Sequence, residues 1–151
     1  MSDPRAIRRL AFQLLYQIDA VGGGDATAMA DRADAGDPLS PGDRAKAASL
    51  ASGAYDQREQ ADTLVAQLAP DWPTHRQPAV DRAIIRLAFF EMDQGRTPPK
   101  VVVSEAVRLA KAFSTEKSPA FVNAILDKIL KRHQRAEADR NAAASSEQEA
   151  G

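Results

Sequence analysis

Apolar residues recur at helical spacing along the first part of the chain. Between Pro4 and Val21 they fall within one arc when successive residues are placed about 100° apart. This arc contains Ile7, Leu10, Ala11, Leu14, Ile18 and Val21. The pattern predicts an amphipathic helix over residues 4–21, and the three glycines that follow predict its end.

The next part of the chain alternates between loop signals and helical patterns. Glycine and proline are concentrated in residues 22–42, which predicts a loop with one short helix around residues 26–33. Ser40 and Pro41 predict the N-cap and first turn of a helix that runs to about Leu68, with a break near Gly53. Few runs alternate as strands do, so the expected fold class is all-α.

The second half of the chain contains three more helical patterns. Residues 80–92 are apolar almost all round, which predicts a helix in the middle of a bundle. Residues 101–131 contain two amphipathic patterns separated by a short break, after which Ser118 and Pro119 predict the N-cap and first position of the last helix. We expect one domain over residues 1–133, followed by a disordered polar tail over residues 134–151.

Composition limits the classes of protein that the chain can represent. With 151 residues it has the length of one domain that can bury a continuous core. Its net charge of −1 argues against coating nucleic acid by bulk electrostatics, so any RNA site must be a local patch. The absence of cysteine excludes disulfides and thiolate chemistry. No apolar run approaches the roughly 20 residues that span a bilayer, and no signal-peptide hydrophobic region is visible, so we expect a cytoplasmic protein.

Arginines and aromatic residues occupy the arc of the first helix opposite its apolar residues. Arginine neutralises phosphate and aromatic rings stack on unpaired bases, so Arg5, Arg8 and Arg9 are candidates for an RNA-binding face. From these residues alone, however, we favour a solvated polar face whose aromatic residues, Phe12 and Tyr16, pack against another part of the fold.

A second candidate site lies at the start of the last helix. There, free backbone amides and the positive end of the helix dipole favour a phosphate, and the ring of Phe121 could stack on a base. A core aromatic residue is the alternative for this position. Lys117, in the preceding turn, adds positive charge. If this protein neutralises two or three phosphates, RNA binding should show a log–log salt slope of about −1.5 to −2.

The sequence shows no set of residues suited to catalysis or metal binding. Glu105 has no second acid, histidine or nucleophile at a suitable spacing, so we expect it to pair with an arginine of the central helix. Arg86 and Glu91 are expected to pair with each other. His75 and His133 are isolated along the chain. We therefore expect no enzymatic activity, no cofactor and no bound metal.

The most specific pattern is a set of polar and apolar residues in the last two helical segments. It consists of Val101, Glu105, Ala106, Val107, Leu109, Ala110, Lys111, Phe113, Glu116, Ser118, Phe121, Val122, Asn123, Leu126, Asp127 and Lys128. This set resembles the C-terminal signature of the NusB family of bacterial transcription antitermination factors. The resemblance extends to Trp72, Arg76, residues 80–84, residues 86–88 and Glu91, and near the N-terminus to Arg5, Arg8, Ala11, Leu15, Tyr16 and Gln17.

The resemblance implies a fold and a function. The fold is an all-α bundle of about seven helices in two perpendicular three-helix subdomains. The function is that of an adaptor that binds boxA RNA in nascent ribosomal RNA transcripts together with NusE, a small-subunit ribosomal protein. With other Nus factors, this adaptor links the RNA to RNA polymerase and prevents premature termination.

The resemblance also implies roles for individual residues. Arg5 and Arg8 match an arginine-rich segment that takes part in boxA binding, and the match favours RNA contact for Phe121. Arg9 and Lys117 join this set on the basis of their charge alone.

Three further residues are implied to face the partner protein. Tyr16 and Asp81 match positions at or near the NusE interface, and Arg86 is a weaker candidate. One alternative is a helical protein-interaction domain without RNA binding, and another is a homodimer that masks the arginine face. NusB-like domains also precede the catalytic domain of certain rRNA cytosine methyltransferases, but this chain has neither a cysteine nucleophile nor a glycine-rich cofactor motif.

Overall fold

The structure of the chain, a computed structural model, describes residues 3–33 and 39–150. This described part contains seven α-helices, one 3₁₀ turn and no strand, which confirms the all-α prediction. The α-helices are α1 (Pro4–Val21), α2 (Ala26–Arg32), α3 (Pro41–Asp56), α4 (Arg58–Leu68), α5 (Ala79–Gln94), α6 (Pro99–Phe113) and α7 (Ser118–Ala150), and the 3₁₀ turn is Thr74–Arg76. Residues 34–38 of the predicted loop and the last residue of the predicted tail lie outside the described residues.

The helices pack in two groups that meet at α5. Helices α1, α2 and α3 contact one another, and so do α5, α6 and α7. Helix α5 also contacts α1 and α3, while α4 packs on α5 and α7. The expected pair of three-helix groups is therefore present, with α4 as the connection between them.

The helix boundaries follow the capping residues of the sequence. The carboxylate of Asp3 accepts hydrogen bonds from two amides in the first turn of α1, and Gly22 ends the helix with a left-handed φ of 79°. The hydroxyl of Ser40 caps α3, as predicted. The break in the following helical stretch lies at Gln57, however, and not at Gly53.

Gly53 lies inside α3 because α5 approaches the helix closely at this point. A Cβ atom at Gly53 would lie only 2.2 Å from Cζ of Phe90. The glycine weakens the helix but leaves the space that the phenyl ring fills. A residue that suggested a helix end therefore marks a contact between helices.

Helix α5 lies in the middle of the bundle, as its pattern predicted. All six residues from 83 to 88 are buried. The largest fully buried side chains include Leu10, Leu14, Leu15, Ile18, Ile84, Ile85, Leu87 and Leu126, so α1, α5 and α7 supply most of the central core. Across residues 3–33 and 39–150, no helix has the length and apolarity needed to cross a membrane.

Helix α7 differs from the predicted end of the domain. The helix continues to Ala150, where we expected a disordered tail after residue 133. Residues 134–148 are exposed, so tertiary packing does not hold them. No glycine or proline interrupts residues 120–150, and Ala, Glu, Gln and Arg are strong helix formers. Because the packed part of α7 already provides the costly nucleus, these residues can extend the helix without an apolar face.

Candidate functional site

Arg5 is the most exposed of the three arginines at the start of α1. Its side chain is 59% exposed, and its Nε donates to Oε1 of Glu105 on α6 at 3.2 Å. Arg108 lies on the other side of the same carboxylate, with Nε 3.9 Å from Oε2. Glu105 therefore pairs with residues of α1 and α6, and the predicted partner on the central helix is wrong. The exposed guanidinium of Arg5 remains open to a ligand in solvent.

Arg8 is held inside the protein. Its side chain is only 11% exposed, Nε donates to Oε1 of Glu91 at 2.8 Å, and Nη2 donates to Oγ1 of Thr97 at 3.3 Å. Burial raises the pKa of Glu91, although the charge and hydrogen bond of Arg8 oppose this rise. The predicted pair between Arg86 and Glu91 is wrong, since Arg8 occupies this carboxylate. Arg9 is half-buried.

The start of α7 presents an aromatic pair next to a lysine. The ring of Phe121 is half-buried and packs on Trp72, with ring centroids 3.7 Å apart and planes tilted by 55°. Phe121 is thus neither a fully buried core residue nor a free ring. Lys117 is exposed in the turn before α7. Sequence reasoning missed Trp72 as a site residue, although a lone tryptophan in a proline-flanked turn was a signal for it.

Asp81 fixes the turn between α6 and α7 from inside the fold. It is fully buried and accepts hydrogen bonds from the hydroxyls of Ser114 and Ser118, the latter at 2.8 Å. Helix α7 begins at Ser118 itself, and the serine hydroxyl donates to Asp81, which differs from the predicted N-cap. Because Asp81 is enclosed, it does not form an exposed surface for a partner. Its contacts instead position the turn that carries Lys117.

Arg86 is also an interior residue. Its side chain is 7% exposed and donates to both carboxylate oxygens of Asp62 at 3.0 and 2.6 Å, and to Oδ1 of Asp19 at 3.0 Å. Arg82 donates to Oδ2 of Asp19 at 2.7 Å. This network joins α1, α4 and α5, so Arg86 holds helices together and does not face a partner.

The same network shifts the pKa values of its members. Burial alone would raise the pKa of Asp19, but the hydrogen bonds and charges of Arg82 and Arg86 outweigh burial and lower it. Burial alone would lower the pKa of Arg86, but its two carboxylate partners outweigh this effect and raise it. Both residues are therefore ionised at neutral pH.

Tyr16 lies on an exposed surface with a different chemistry. It is 41% exposed and lines a groove of about 440 Å³ together with Phe113, Gln13, Gln17, further residues of α1 and α5, and Ala33, which follows α2. Phe113 is exposed to the same extent as Tyr16. Aromatic rings beside neutral polar side chains are typical of protein–protein contact surfaces.

For Phe12, the interpretation that an aromatic residue of this arc packs against another part of the fold is confirmed. The helical wheel put Phe12 opposite the core arc of α1, yet its side chain is buried and packs on Phe113 with ring centroids 5.3 Å apart. Helix α1 is therefore covered on more than one side. Sequence reasoning also missed Phe113, Gln13 and Gln17 as surface residues beside Tyr16.

Charge and stacking are the chemistry that these surfaces can provide. Within residues 3–33 and 39–150, no group of three or more His, Cys, Asp or Glu side chains is arranged to hold a metal ion. The exposed groups described above are instead cations, aromatic rings and amides, which are suited to binding and orienting a ligand.

Comparisons with known proteins give a consistent result. The model of the NusB family matches residues 5–131. The chain is 41% identical over 135 residues to the transcription antitermination protein NusB of Symbiobacterium thermophilum, a match that covers 84% of this chain and 88% of the relative. It is 38% identical over 132 residues to the protein of the same name from Streptomyces coelicolor, with 85% and 93% covered.

Solved structures show the same fold. The structure of T. maritima NusB superposes with a TM-score of 0.76 at 29% identity, covering 88% of this chain and 94% of that one. A chain in the crystal structure of a plectonemic RNA supercoil superposes with a TM-score of 0.77 at 25% identity, covering 88% and 97%. From its sequence match over most of its length and from its fold, the chain belongs to the NusB family of transcription antitermination proteins.

Proposed function

We propose that the protein acts as an adaptor in transcription antitermination that binds boxA RNA of nascent ribosomal RNA transcripts together with NusE. The observation that carries the proposal is the aromatic pair of Phe121 and Trp72 beside the exposed Lys117. Single-stranded RNA is recognised by stacking of its bases on aromatic rings and by cations that contact its phosphates. No catalytic step is required for this function.

The proposed RNA contacts are Arg5, Lys117 and Phe121, with Trp72 as support for the ring. Arg9 remains a proposed contact on the basis of its charge. Arg8 has a positioning role in this proposal, because its guanidinium is committed to Glu91 inside the fold. Opening that pair to bind a phosphate would leave a buried carboxylate without its partner, which is costly.

The proposed surface for NusE is centred on Tyr16. Phe113, Gln13 and Gln17 extend this surface, and Asp81 and Arg86 support the proposal only indirectly, by holding the helices in place. Arg5 and Tyr16 lie eleven residues apart on α1, about 16 Å along one helix. RNA and partner would thus bind to the same rigid element.

Fluorescence anisotropy with a boxA oligonucleotide and a scrambled one, with and without NusE, tests the proposal. We expect selective binding that NusE strengthens. Phe121→Leu keeps an apolar side chain at the Trp72 contact but removes the aromatic face, and it should weaken binding by roughly 5- to 150-fold, since stacking contributes about 1–3 kcal/mol per base. Lys131→Gln, on an exposed turn of α7, is the control and should have little effect.

Tyr16→Ala separates the two proposed surfaces. It should weaken binding of NusE and leave the binding of RNA to the free protein unchanged. If boxA and scrambled RNA bound equally even with NusE present, the RNA assignment would fail. The helical protein-interaction domain without RNA binding would then be the better description, and the Tyr16 surface would be its binding site.

A further inference from the structure

A groove of about 460 Å³ follows one face of α6 at its contact with α7. Three cations line it, Lys100, Arg108 and Lys111. They lie at positions i, i+8 and i+11 of one helix, which places them within about 80° of one another around its axis and over a length of about 16 Å. Sequence reasoning assigned no role to this face.

The positive charge of the groove is not cancelled by its own lining. No acidic residue belongs to the lining, and Glu105, which pairs with Arg108 of the groove, also pairs with Arg5. Within residues 3–33 and 39–148, Lys100 and Lys111 form no ion pair, and all three groove cations are exposed. A chain with a net charge of −1 thus concentrates three cations in one line.

The other lining residues fit a nucleic-acid strand. Ser104 and Asn123 are neutral side chains that can donate hydrogen bonds to phosphate or ribose oxygens, and Val103 and Val107 give the groove an apolar floor. A line of cations with neutral donors matches a regular polyanion better than it matches a protein surface, which would bring its own mixture of charges.

We infer that this groove binds the phosphate backbone of the RNA, an assignment that rests on the proposed function and extends its contact surface. One side of the groove adjoins Arg5 through the shared carboxylate of Glu105. At the end of α6 beyond Lys111, the chain enters the turn that carries Lys117. The groove therefore lies beside Arg5 along its length, and its C-terminal end leads into the turn that carries Lys117.

The salt dependence of RNA binding measures this contribution. Each phosphate contact to a single strand adds about 0.7 to the magnitude of the log–log salt slope, so three groove cations add about 2. The slope should then be about −4, steeper than the −1.5 to −2 expected for two or three phosphate contacts outside the groove. Anisotropy titrations with single-stranded boxA RNA between about 50 and 200 mM salt resolve this difference.

The test variant carries Lys100→Gln, Arg108→Gln and Lys111→Gln, and its matched control carries Lys131→Gln, Arg135→Gln and Arg140→Gln. Both remove three positive charges from exposed positions, and the control changes lie on α7 outside the groove. The groove variant should reduce the magnitude of the slope by about 2, from about −4 to about −2. It should also weaken binding on the order of 10- to 100-fold at 0.1 M salt. The control should change the slope by less than about 0.7.

The outcomes distinguish failure of the groove assignment from failure of the proposed boxA-binding function. Selective binding by the unmodified protein with an unchanged slope in the groove variant would overturn the groove assignment and leave the proposed function intact. Equal losses in the two variants would assign the effect to net charge and also overturn the groove. Absence of boxA selectivity in the unmodified protein, with NusE present, would overturn the proposed function itself. Circular dichroism of the variants checks that the helices are retained.

Discussion

Replacing Gly53 by alanine sets two effects of opposite sign against each other. At an unobstructed helix position, alanine is favoured over glycine by about 1 kcal/mol. At position 53, however, the new Cβ atom would lie 2.2, 2.6 and 2.8 Å from three ring atoms of Phe90. Because carbon atoms pack at about 3.5–4.0 Å, the ring or the two helices must move by roughly 1 Å or more.

The packing effect should exceed the gain in helix propensity. Overpacking a core contact costs about 1–3 kcal/mol, and a clash with three ring atoms belongs in the upper half of this range. After the propensity gain is subtracted, we expect Gly53→Ala to lower the free energy of unfolding by about 1–2 kcal/mol. For a domain of this size, the melting temperature should fall by about 3–6 °C. Urea denaturation followed by circular dichroism measures the free energy directly.

Gly42→Ala provides a matched control in the same helix. A Cβ atom there would meet only Oγ of Ser40 at 3.8 Å, an ordinary contact, so the change should be neutral or stabilising by up to about 1 kcal/mol. On a Phe90→Ala background, Gly53→Ala should likewise become stabilising. A Gly53→Ala protein as stable as the unmodified protein, or more stable, would refute the close packing of α3 on α5.

Three further predictions concern the buried charges. Arg86→Met should lower the free energy of unfolding by about 3 kcal/mol in urea denaturation, because Asp62 and Asp19 lose a buried partner, and a loss below about 1 kcal/mol would contradict this. The pKa of Asp19 is lowered, so its contribution to stability is present above pH 3.8 and is lost as the pH falls through its folded value. Asp19→Asn should therefore flatten the acid part of the stability–pH curve. The pKa of Glu91 is raised, so its contribution is fully present below pH 4.5 and is lost as the pH rises through its folded value. Glu91→Gln should remove that dependence, and an unaltered curve would refute the assignment.

Much of the fold could be predicted because local signals and tertiary packing agree. The arc of apolar residues and the glycines after it gave the observed bounds of α1, and Ser40 marked the start of α3. The helix break was misplaced because glycine has a low helix propensity and suggested an end at Gly53. The reason for a glycine at this position is the ring of Phe90, which lies on another helix. The helical end of α7 was missed because the absence of an apolar face was taken as the absence of a helix.

The site was less predictable, because exposure depends on neighbours that a helical wheel does not contain. Arg5 and Arg8 share the polar arc of α1, yet Arg8 is largely buried in its ion pair with Glu91, while Arg5 is exposed. On α5, which neighbours cover almost completely, periodicity alone does not indicate that Asp81 and Arg86 are buried. The groove cations on α6 were visible as a polar face, but only the contact with α7 makes that face concave.

The three buried charges of α5 determine how this helix is set within the bundle. Asp81, Arg86 and Glu91 are each five residues apart, so each points about 140° away from the previous one around the helix axis. Their partners lie in different places: the α6–α7 turn for Asp81, α1 and α4 for Arg86, and the start of α1 for Glu91.

A helix that is apolar almost all round could, on packing grounds alone, settle at several rotations and axial positions. A slip of α5 by one residue would turn it by about 100° and carry all three charges away from their partners at once. Breaking the ion pairs of Arg86 and Glu91 would cost about 3–5 kcal/mol each, and Asp81 would also lose its two serine hydroxyls, so the total would rival the 5–15 kcal/mol that stabilises a typical domain. Only one rotation and axial position of the central helix therefore brings Asp81, Arg86 and Glu91 to their partners at the same time.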